Sequence, residues 1–229
     1  MAETSPSPPH PLAQAEAWVF DLDNTLYPAR SRLFDQVSKR ITAFIMAHFE
    51  IDEAVARERQ RDLFRRHGTT LRGLMLEHRV EPARFLDFVH EIDVSVVEPA
   101  PALDAALTRL AGRKLVFTNG SVGHAERILR RLGIAHHFEV IHDIVASEYV
   151  PKPEPAPYQA LIERHGITAR RSVMVEDMAV NLMPAARLGM TTVWIKTEHD
   201  WATRGAESDQ IHYTIEDLAA WLGTVAPNG

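Results

Sequence analysis

The apolar run Ala17-Trp18-Val19-Phe20, followed at once by Asp21-Leu22-Asp23-Asn24-Thr25-Leu26, constrains the fold of this chain more than any other stretch. An unbroken apolar run of this kind reads as a buried strand, the pattern of a parallel sheet covered on both faces. Two carboxylates two positions apart at its end sit where strand gives way to loop. In open α/β sheets, the crevice outside those carboxyl ends is where ligands bind. Two acids side by side repel unless positive charge lies near them, and a hard divalent cation with oxygen ligands meets that need. The segment is therefore read as a Mg²⁺ site, with one of its acids a candidate nucleophile.

Further candidate strands follow at 114–118, 138–142, 172–176 and 191–196. Helical patterns lie between the later ones. That at 123–132 starts from a Ser121 cap and stops before Gly133, that at 157–165 stops before Gly166, and that at 179–188 stops before Gly189. Glycine just past the last periodic residue is the expected helix stop. Strands alternating with such helices indicate βαβ units, each of roughly 30 residues or slightly more, and a mostly parallel sheet. Asp21 and Thr118 are 97 positions apart, too many for one crossover. The excess is helical in pattern: Phe34, Val37, Ile41, Phe44, Ile45 and Phe49 share one face and read as core, and short helices continue through Leu71, Leu74 and Phe85. The expected fold class is therefore α/β, a Rossmann-like parallel sheet with helices on both faces and an inserted all-helical domain. The expected boundaries are a disordered tail at 1–15, rich in Pro and Ser, a core at 16–29 and 99–229, and the helical insertion at 30–98. The chain after Trp221 is expected to fray.

Composition narrows the partners. The net charge of −6 disfavours nucleic acid, whose phosphate backbone selects basic patches. The absence of cysteine rules out disulfides, thiolate zinc sites and cysteine nucleophiles. No stretch approaches the roughly 20 apolar residues needed to cross a membrane, and the first residues do not read as a secretion signal. The expectation is a cytoplasmic protein with a small-molecule partner, of unspecified oligomeric state. Most of the 12 histidines read as solvated, and His136-His137 and His199 have no partner at metal-ligand spacing. The arginines at 57, 59, 61, 65 and 66, interleaved with acids, read as a solvated helix face.

Four clusters fall at strand ends or just beyond: Asp21 with Asp23, Thr118-Asn119-Gly120, Lys152 between Pro151 and Pro153, and Glu176-Asp177. Taken singly, each has an ordinary reading as a turn, a surface lysine or a helix-start acid pair. In a parallel sheet, however, all carboxyl ends face one crevice. Together the clusters supply a nucleophile or acid, hydroxyl and amide donors, a fixed cation and a metal-binding acid. That is the equipment of phosphoryl transfer, in which catalysis is mostly positioning and charge neutralisation.

On these residues the chain resembles the phosphatases of the haloacid dehalogenase-like hydrolase superfamily. Asp21-Leu22-Asp23-Asn24-Thr25-Leu26 is similar to the first family motif, Phe117-Thr118-Asn119-Gly120 to the second, Lys152-Pro153 to the third, and Val175-Glu176-Asp177 with Asn181 to the fourth. The insertion resembles the helical cap placed after the first motif. The resemblance implies that Asp21 is the nucleophile, forming an aspartyl phosphate, and that Asp23 is the acid and base. It implies that Mg²⁺ is held by Asp21, the Asp23 main-chain carbonyl and Asp177. Thr118 and the backbone near Asn119 would bind phosphate, Lys152 would neutralise charge, and Glu176 would orient Lys152 or a metal-bound water. Asn24-Thr25-Leu26-Tyr27-Pro28, the 67–74 stretch and the 88–93 stretch further resemble the pyrimidine 5′-nucleotidase branch. That implies nucleoside monophosphates as substrates, with Asn24, Thr70, Arg72 and His90 as candidates for specificity. Three alternatives stand beside it: a phosphatase for sugar phosphates or another small phosphometabolite, a haloacid dehalogenase, and a non-catalytic phosphate-responsive switch. Asp23 argues against the dehalogenase, which does not need a second acid, and, placed to support hydrolysis, it argues for turnover over the switch.

Overall fold

The computed structural model describes residues 11–197 and 202–225. A six-stranded sheet is built from β1 (Ala17–Phe20), β2 (Arg113–Phe117), β3 (Val140–His142), β4 (Ser172–Glu176), β5 (Thr191–Ile195) and β6 (Tyr213–Ile215). Every pairing is parallel, in the order β3-β2-β1-β4-β5-β6. Chain order reverses at β1, which lies between β2 and β4. That reversal opens a crevice at the carboxyl end of β1, the general position of ligand sites in such sheets. The sheet is fully covered, as its unbroken apolar strands require. Trp18 and Phe20 face one layer with helices α5 (Pro101–Arg109), α6 (Val122–Leu132) and α9 (Leu218–Val225). Ala17 and Val19 face the other with α7 (Pro155–His165) and α8 (Ala179–Arg187).

The expected strands and helices coincide with these elements to within about two residues. Three others were not anticipated, α5 among them. β6 is a three-residue edge strand, too short to show a period. α9 corrects the expected fraying beyond Trp221. Asp217 accepts from the Ala220 backbone N–H at 2.9 Å, and Leu222 and Val225 are buried against the sheet, where each contributes roughly 1.5–3 kcal/mol of apolar burial. Residues 226–229 lie outside the described ones. The expected tail at 1–15 is corrected at its end, because Pro11–Gln14 form a 3₁₀ turn and Leu12 joins the sheet core. Residues 1–10 are not described.

Between β1 and β2 the chain forms an inserted helical cap of α1 (Leu33–Phe49), α2 (Glu53–His67), α3 (Thr70–His78) and α4 (Pro82–Val89). The cap has its own core. Phe44 packs edge-on to Phe85 at 5.1 Å and to Phe88 at 5.6 Å, beside Ile45, Leu63, Leu74 and Val89. The apolar face expected at 34–49 supplies much of this core. Local signals set the helix ends: Asp52 accepts from Val55 N–H at 3.0 Å and Glu81 from Arg84 N–H at 2.7 Å. Gly73 brings α3 onto α2, since a Cβ there would lie 2.7 Å from Leu63 Cδ2. Ile144 of the loop after β3 enters the cap core, joining cap to sheet.

Candidate active site

The strands that carry the acids are neighbours, and their ladder continues past the strand ends. Asp21 N–H donates to Val175 C=O at 2.9 Å, and Thr118 N–H donates to His142 C=O at 3.0 Å. The crevice therefore collects the ends of β1, β2 and β4. Lys152 enters it from the loop before α7 and is buried with a full set of acceptors. Its Nζ donates to Asp21 Oδ1 at 2.7 Å, to Glu176 Oε2 at 2.7 Å and to Phe117 C=O at 2.8 Å. An ammonium has three N–H donors, so all are used. The second Glu176 oxygen accepts from Met178 N–H at 3.2 Å. Asp177 is 2 % exposed, and its Oδ2 has no hydrogen-bond partner. Trp194 Nε1 donates to Asp177 C=O at 2.8 Å and fixes the loop.

Three buried carboxylates thus cluster here with one lysine, which bonds Asp21 and Glu176. Burial and the adjacent Glu176 carboxylate push the Asp21 carboxyl up to about 7, against the opposing pull of Lys152. Asp177 is raised well above the usual carboxylate range by burial and by the charges of Glu176 and Asp21. Lys152 is raised: burial works against its charge, and Asp21 and Glu176 outweigh that. The acids at 21, 176 and 177 can bring one oxygen each within 4.8 Å of one another, a group able to hold a metal ion. The donor set fits Mg²⁺, being all hard oxygen with an excess of buried negative charge and one orphaned oxygen on Asp177. Both oxygens of Glu176 are already engaged, which leaves Asp21 and Asp177 as the carboxylates free to ligate.

Asp23 is set apart from this group. Its Oδ1 accepts from Tyr27 Oη at 2.6 Å and lies 2.9 Å from His124 Nε2. Burial alone would raise the Asp23 carboxyl, but His124 and Tyr27 together hold it below the usual range. Neither partner was singled out from sequence. Tyr27 lies four residues from Asp23, and a hydroxyl near a motif acid was the available clue. His124 comes from α6, 101 positions away, and carried no signal beyond opening the helix after β2. His90, His124 and His142 are buried, exceptions to the solvated histidines such as His48, His78, His136 and His212, which are exposed. His136 and His137 also have a partner, Asp104 Oδ1, at 3.2 and 2.7 Å from their Nε2 atoms. His199 is outside the described residues.

The remaining candidates divide. Thr118 lines the crevice, and its Oγ1 accepts from Gly120 N–H at 2.9 Å, leaving the hydroxyl proton to donate. The Asn119 side chain is occupied by the Lys152 loop, accepting from Lys152 N–H at 2.9 Å and donating to Lys152 C=O at 3.4 Å. Asn24 has φ +60°, a left-handed conformation that favours Asn or Gly, so backbone demand accounts for its identity. A crevice of about 690 Å³ holds Asp21, Lys152 and Asp177, with Arg65, Arg66 and Arg72 of the cap on its walls. Arg65 and Arg66 were expected to be mere solvated face. An adjoining cavity of about 500 Å³ runs from Asp23 into the cap and is walled mostly by apolar side chains, among them Phe34, Ile41, Phe64, Leu71 and Val89. Thr70 and His90 line this second cavity and not the first.

A six-stranded parallel sheet with an acid-lined crevice at its reversal point and a helical cap over it defines a capped α/β fold with its ligand site at the carboxyl ends of the strands. A family model described as haloacid dehalogenase-like hydrolase matches residues 15–189, and the chain belongs to that family. It is 27% identical over 232 residues to a phosphoglycolate phosphatase of Rhodospirillum rubrum, covering 93% of each chain. It is 24% identical to phosphate metabolism protein 8 of Saccharomyces cerevisiae, covering 81% of this chain and 63% of the yeast protein. Among solved structures, a phosphatase of this family from Thermococcus onnurineus superposes with a TM-score of 0.64 at 20% identity, over 93% of this chain and 99% of that one. No helix among the described residues is long and apolar enough to cross a membrane.

Proposed function

We propose that the protein is a Mg²⁺-dependent phosphomonoesterase that works through an aspartyl phosphate on Asp21 and acts on nucleoside monophosphates. The observation that carries the chemistry is the buried Lys152, fixed by Asp21 and Glu176 beside the unpartnered oxygen of Asp177. In this reading a carboxylate oxygen of Asp21 attacks phosphorus as the ester P–O bond breaks, and Asp23 gives its proton to the departing oxygen. Water then attacks the aspartyl phosphate, gives its proton to Asp23, and the P–O bond to Asp21 breaks to release inorganic phosphate. Thr118 and the backbone near Asn119 bind phosphoryl oxygens, and Lys152 neutralises their charge. Asp21, Asp177 and the Asp23 main-chain carbonyl would hold Mg²⁺, which when bound supplies charge neutralisation at the phosphoryl group. Asp23 is ionised in the free enzyme, and the negative phosphoryl group arriving beside it favours the protonated form that the first step needs. The paired donors on Asp23 support a phosphatase over a haloacid dehalogenase, which has no use for a second acid.

The substrate class rests on the two cavities. The apolar one meets the crevice at Asp23, on the side from which a leaving group departs, and its volume suits a planar base with its sugar. His90 and Thr70 are its polar points, and a pyrimidine is the base expected there. A second reading, a short anionic phosphometabolite, is favoured by the cap arginines on the crevice wall and by the similarity to a phosphoglycolate phosphatase. The test is phosphate release from UMP, CMP, TMP, AMP, GMP, phosphoglycolate and sugar phosphates, with Mg²⁺ and with EDTA, alongside Asp21→Asn. Metal-dependent release preferring pyrimidine monophosphates and lost in the variant is the expected result. Preference for phosphoglycolate or a sugar phosphate keeps the chemistry and replaces the substrate. Turnover unchanged in Asp21→Asn sinks the chemistry.

A further inference from the structure

The side chain of Asp23 is held from one side only. Tyr27 Oη, at 2.6 Å, and His124 Nε2, at 2.9 Å, both meet the same oxygen, Oδ1. A phenol facing a carboxylate oxygen donates, and so must the histidine nitrogen, because an ionised carboxylate only accepts. The other oxygen, Oδ2, points toward Gly120, whose Cβ, if it had one, would lie 3.8 Å away. Asn119, Gly120 and Asp23 line the same apolar cavity. The two donors are themselves immobilised. Tyr27 is 1 % exposed and sits in the sheet core. The His124 ring is buried and stacked on His90 at 4.3 Å, nearly parallel, and His90 Nδ1 is fixed 2.9 Å from Ser121 Oγ. The Arg127 side chain donates to His90 C=O, tying this stack to α6.

We infer that Tyr27 and His124 are positioning residues for the acid–base carboxylate: by occupying Oδ1 they leave Oδ2 as the one oxygen of Asp23 that can carry and transfer the proton. The inference rests on the phosphatase reading above and deepens it. Two donors on Oδ1 suit both forms of the group, because Oδ1 accepts equally as a carboxylate oxygen and as the carbonyl oxygen of the acid. The proton therefore resides on Oδ2 when Asp23 is protonated. It passes from there to the leaving oxygen as the ester bond breaks, and Oδ2 takes a proton from the attacking water in the second step. Rotation of the carboxyl, which would misdirect the proton, is opposed by both donors and by the stacked ring behind His124.

General acid catalysis matters in proportion to how poor the leaving group is, and this separates positioning from mere structural support. The experiment compares kcat/KM for a nucleoside 5′-monophosphate, whose alkoxide needs a proton to leave, with that for p-nitrophenyl phosphate, whose phenolate does not. kcat/KM reports the steps through departure of the leaving group, so the shared second step does not blur the comparison. In Tyr27→Phe and in His124→Leu, the expected loss on the nucleotide is about 10-fold or more, a part of the ~10²–10⁴-fold that general acid–base catalysis supplies. Loss on p-nitrophenyl phosphate is expected to be under about threefold, because that leaving group gains little from a proton. His124→Gln, which keeps an N–H donor at the Nε2 position, is expected to restore most of the difference. Equal losses on both substrates, or none on either, overturn the inference. Tyr27→Phe preserves the ring and so guards against a folding artefact. The two failures are distinguishable. If wild type releases no phosphate from either ester, or Asp21→Asn retains turnover, the phosphatase reading itself falls. If Asp23→Asn shows the leaving-group selectivity and Tyr27→Phe and His124→Leu do not, only the positioning roles fall.

Discussion

The crevice at the sheet and the cavity in the cap meet at Asp23, yet they are built by opposite means. In the crevice Asp21, Lys152 and Glu176 are charged, buried and paired to one another from distant strand ends, and Lys152 alone joins β1, β2 and β4. In the cap cavity the walls are apolar and the few polar groups are already spent on structure. Thr70 Oγ1 donates to Gln60 C=O at 3.4 Å, and His90 is held by Ser121. On the proposed function, the difference teaches that reactivity rests on strand topology, which admits little variation, whereas selectivity rests on side-chain packing, which admits much.

The largest break in that contrast comes from Asp21, the proposed nucleophile. Asp21→Asn is expected to lower phosphate release by on the order of 10⁴-fold, as removal of a nucleophile does. Thr70→Val should alter kcat/KM by at most about 100-fold, because a single wall contact is worth ~1–3 kcal/mol. A comparable loss in both would erase the distinction between reactive crevice and selective cavity. Next in size is Lys152→Met, which strands Asp21 and Glu176 without their cation. Breaking a buried ion pair from one side costs about 3–5 kcal/mol, read as a lower denaturation midpoint. Phe85→Ala should cost about as much through the cavity it leaves, but in the cap, so amide exchange there should rise while the sheet stays protected.

Metal linkage sharpens the same contrast. The Asp21 carboxyl is raised from 3.8 to about 7 and Asp177 is raised as well, so the folded metal-free protein binds more protons than the unfolded chain between those limits. Its stability should therefore fall as pH rises from about 4 through 7, the window of the Asp21 shift. Mg²⁺ should flatten that slope. Asp177→Asn should raise the metal-free melting temperature, by relieving repulsion, and abolish the stabilisation by Mg²⁺. A variant that melts lower without metal and still responds to Mg²⁺ would show that Asp177 is not part of the excess charge. Arg72→Ala removes one cap-to-core bond and should raise KM by roughly fivefold, the equivalent of about 1 kcal/mol. Smallest is Asn24. With φ at +60°, Asn24→Gly should keep activity and stability within about 0.5 kcal/mol, and Asn24→Ala should cost about 1–2 kcal/mol. A change of substrate preference in Asn24→Gly would restore it as a specificity residue.

By itself the sequence determined the elements and the order in which chemistry is attached to them. Apolar runs ending in Asp21, Thr118 and Glu176, helices halted at Gly133 and Gly166, and the 97-position gap all express short-range physics: side-chain period, caps, and the length of one crossover. Those signals placed the acids and Lys152 at one end of a parallel sheet, and the described structure brings them there. Only the tertiary structure decided which oxygen of Asp23 is occupied, that the Asn119 side chain holds the Lys152 loop, that α9 and β6 complete the sheet layer, and that Arg65 of an outwardly solvated helix faces the crevice. His124 meets Asp23 across 101 positions and Lys152 meets Asp21 across 131. No local period encodes such contacts, because they follow from how successive βαβ crossovers stack and from the burial that forces each polar atom to find a partner.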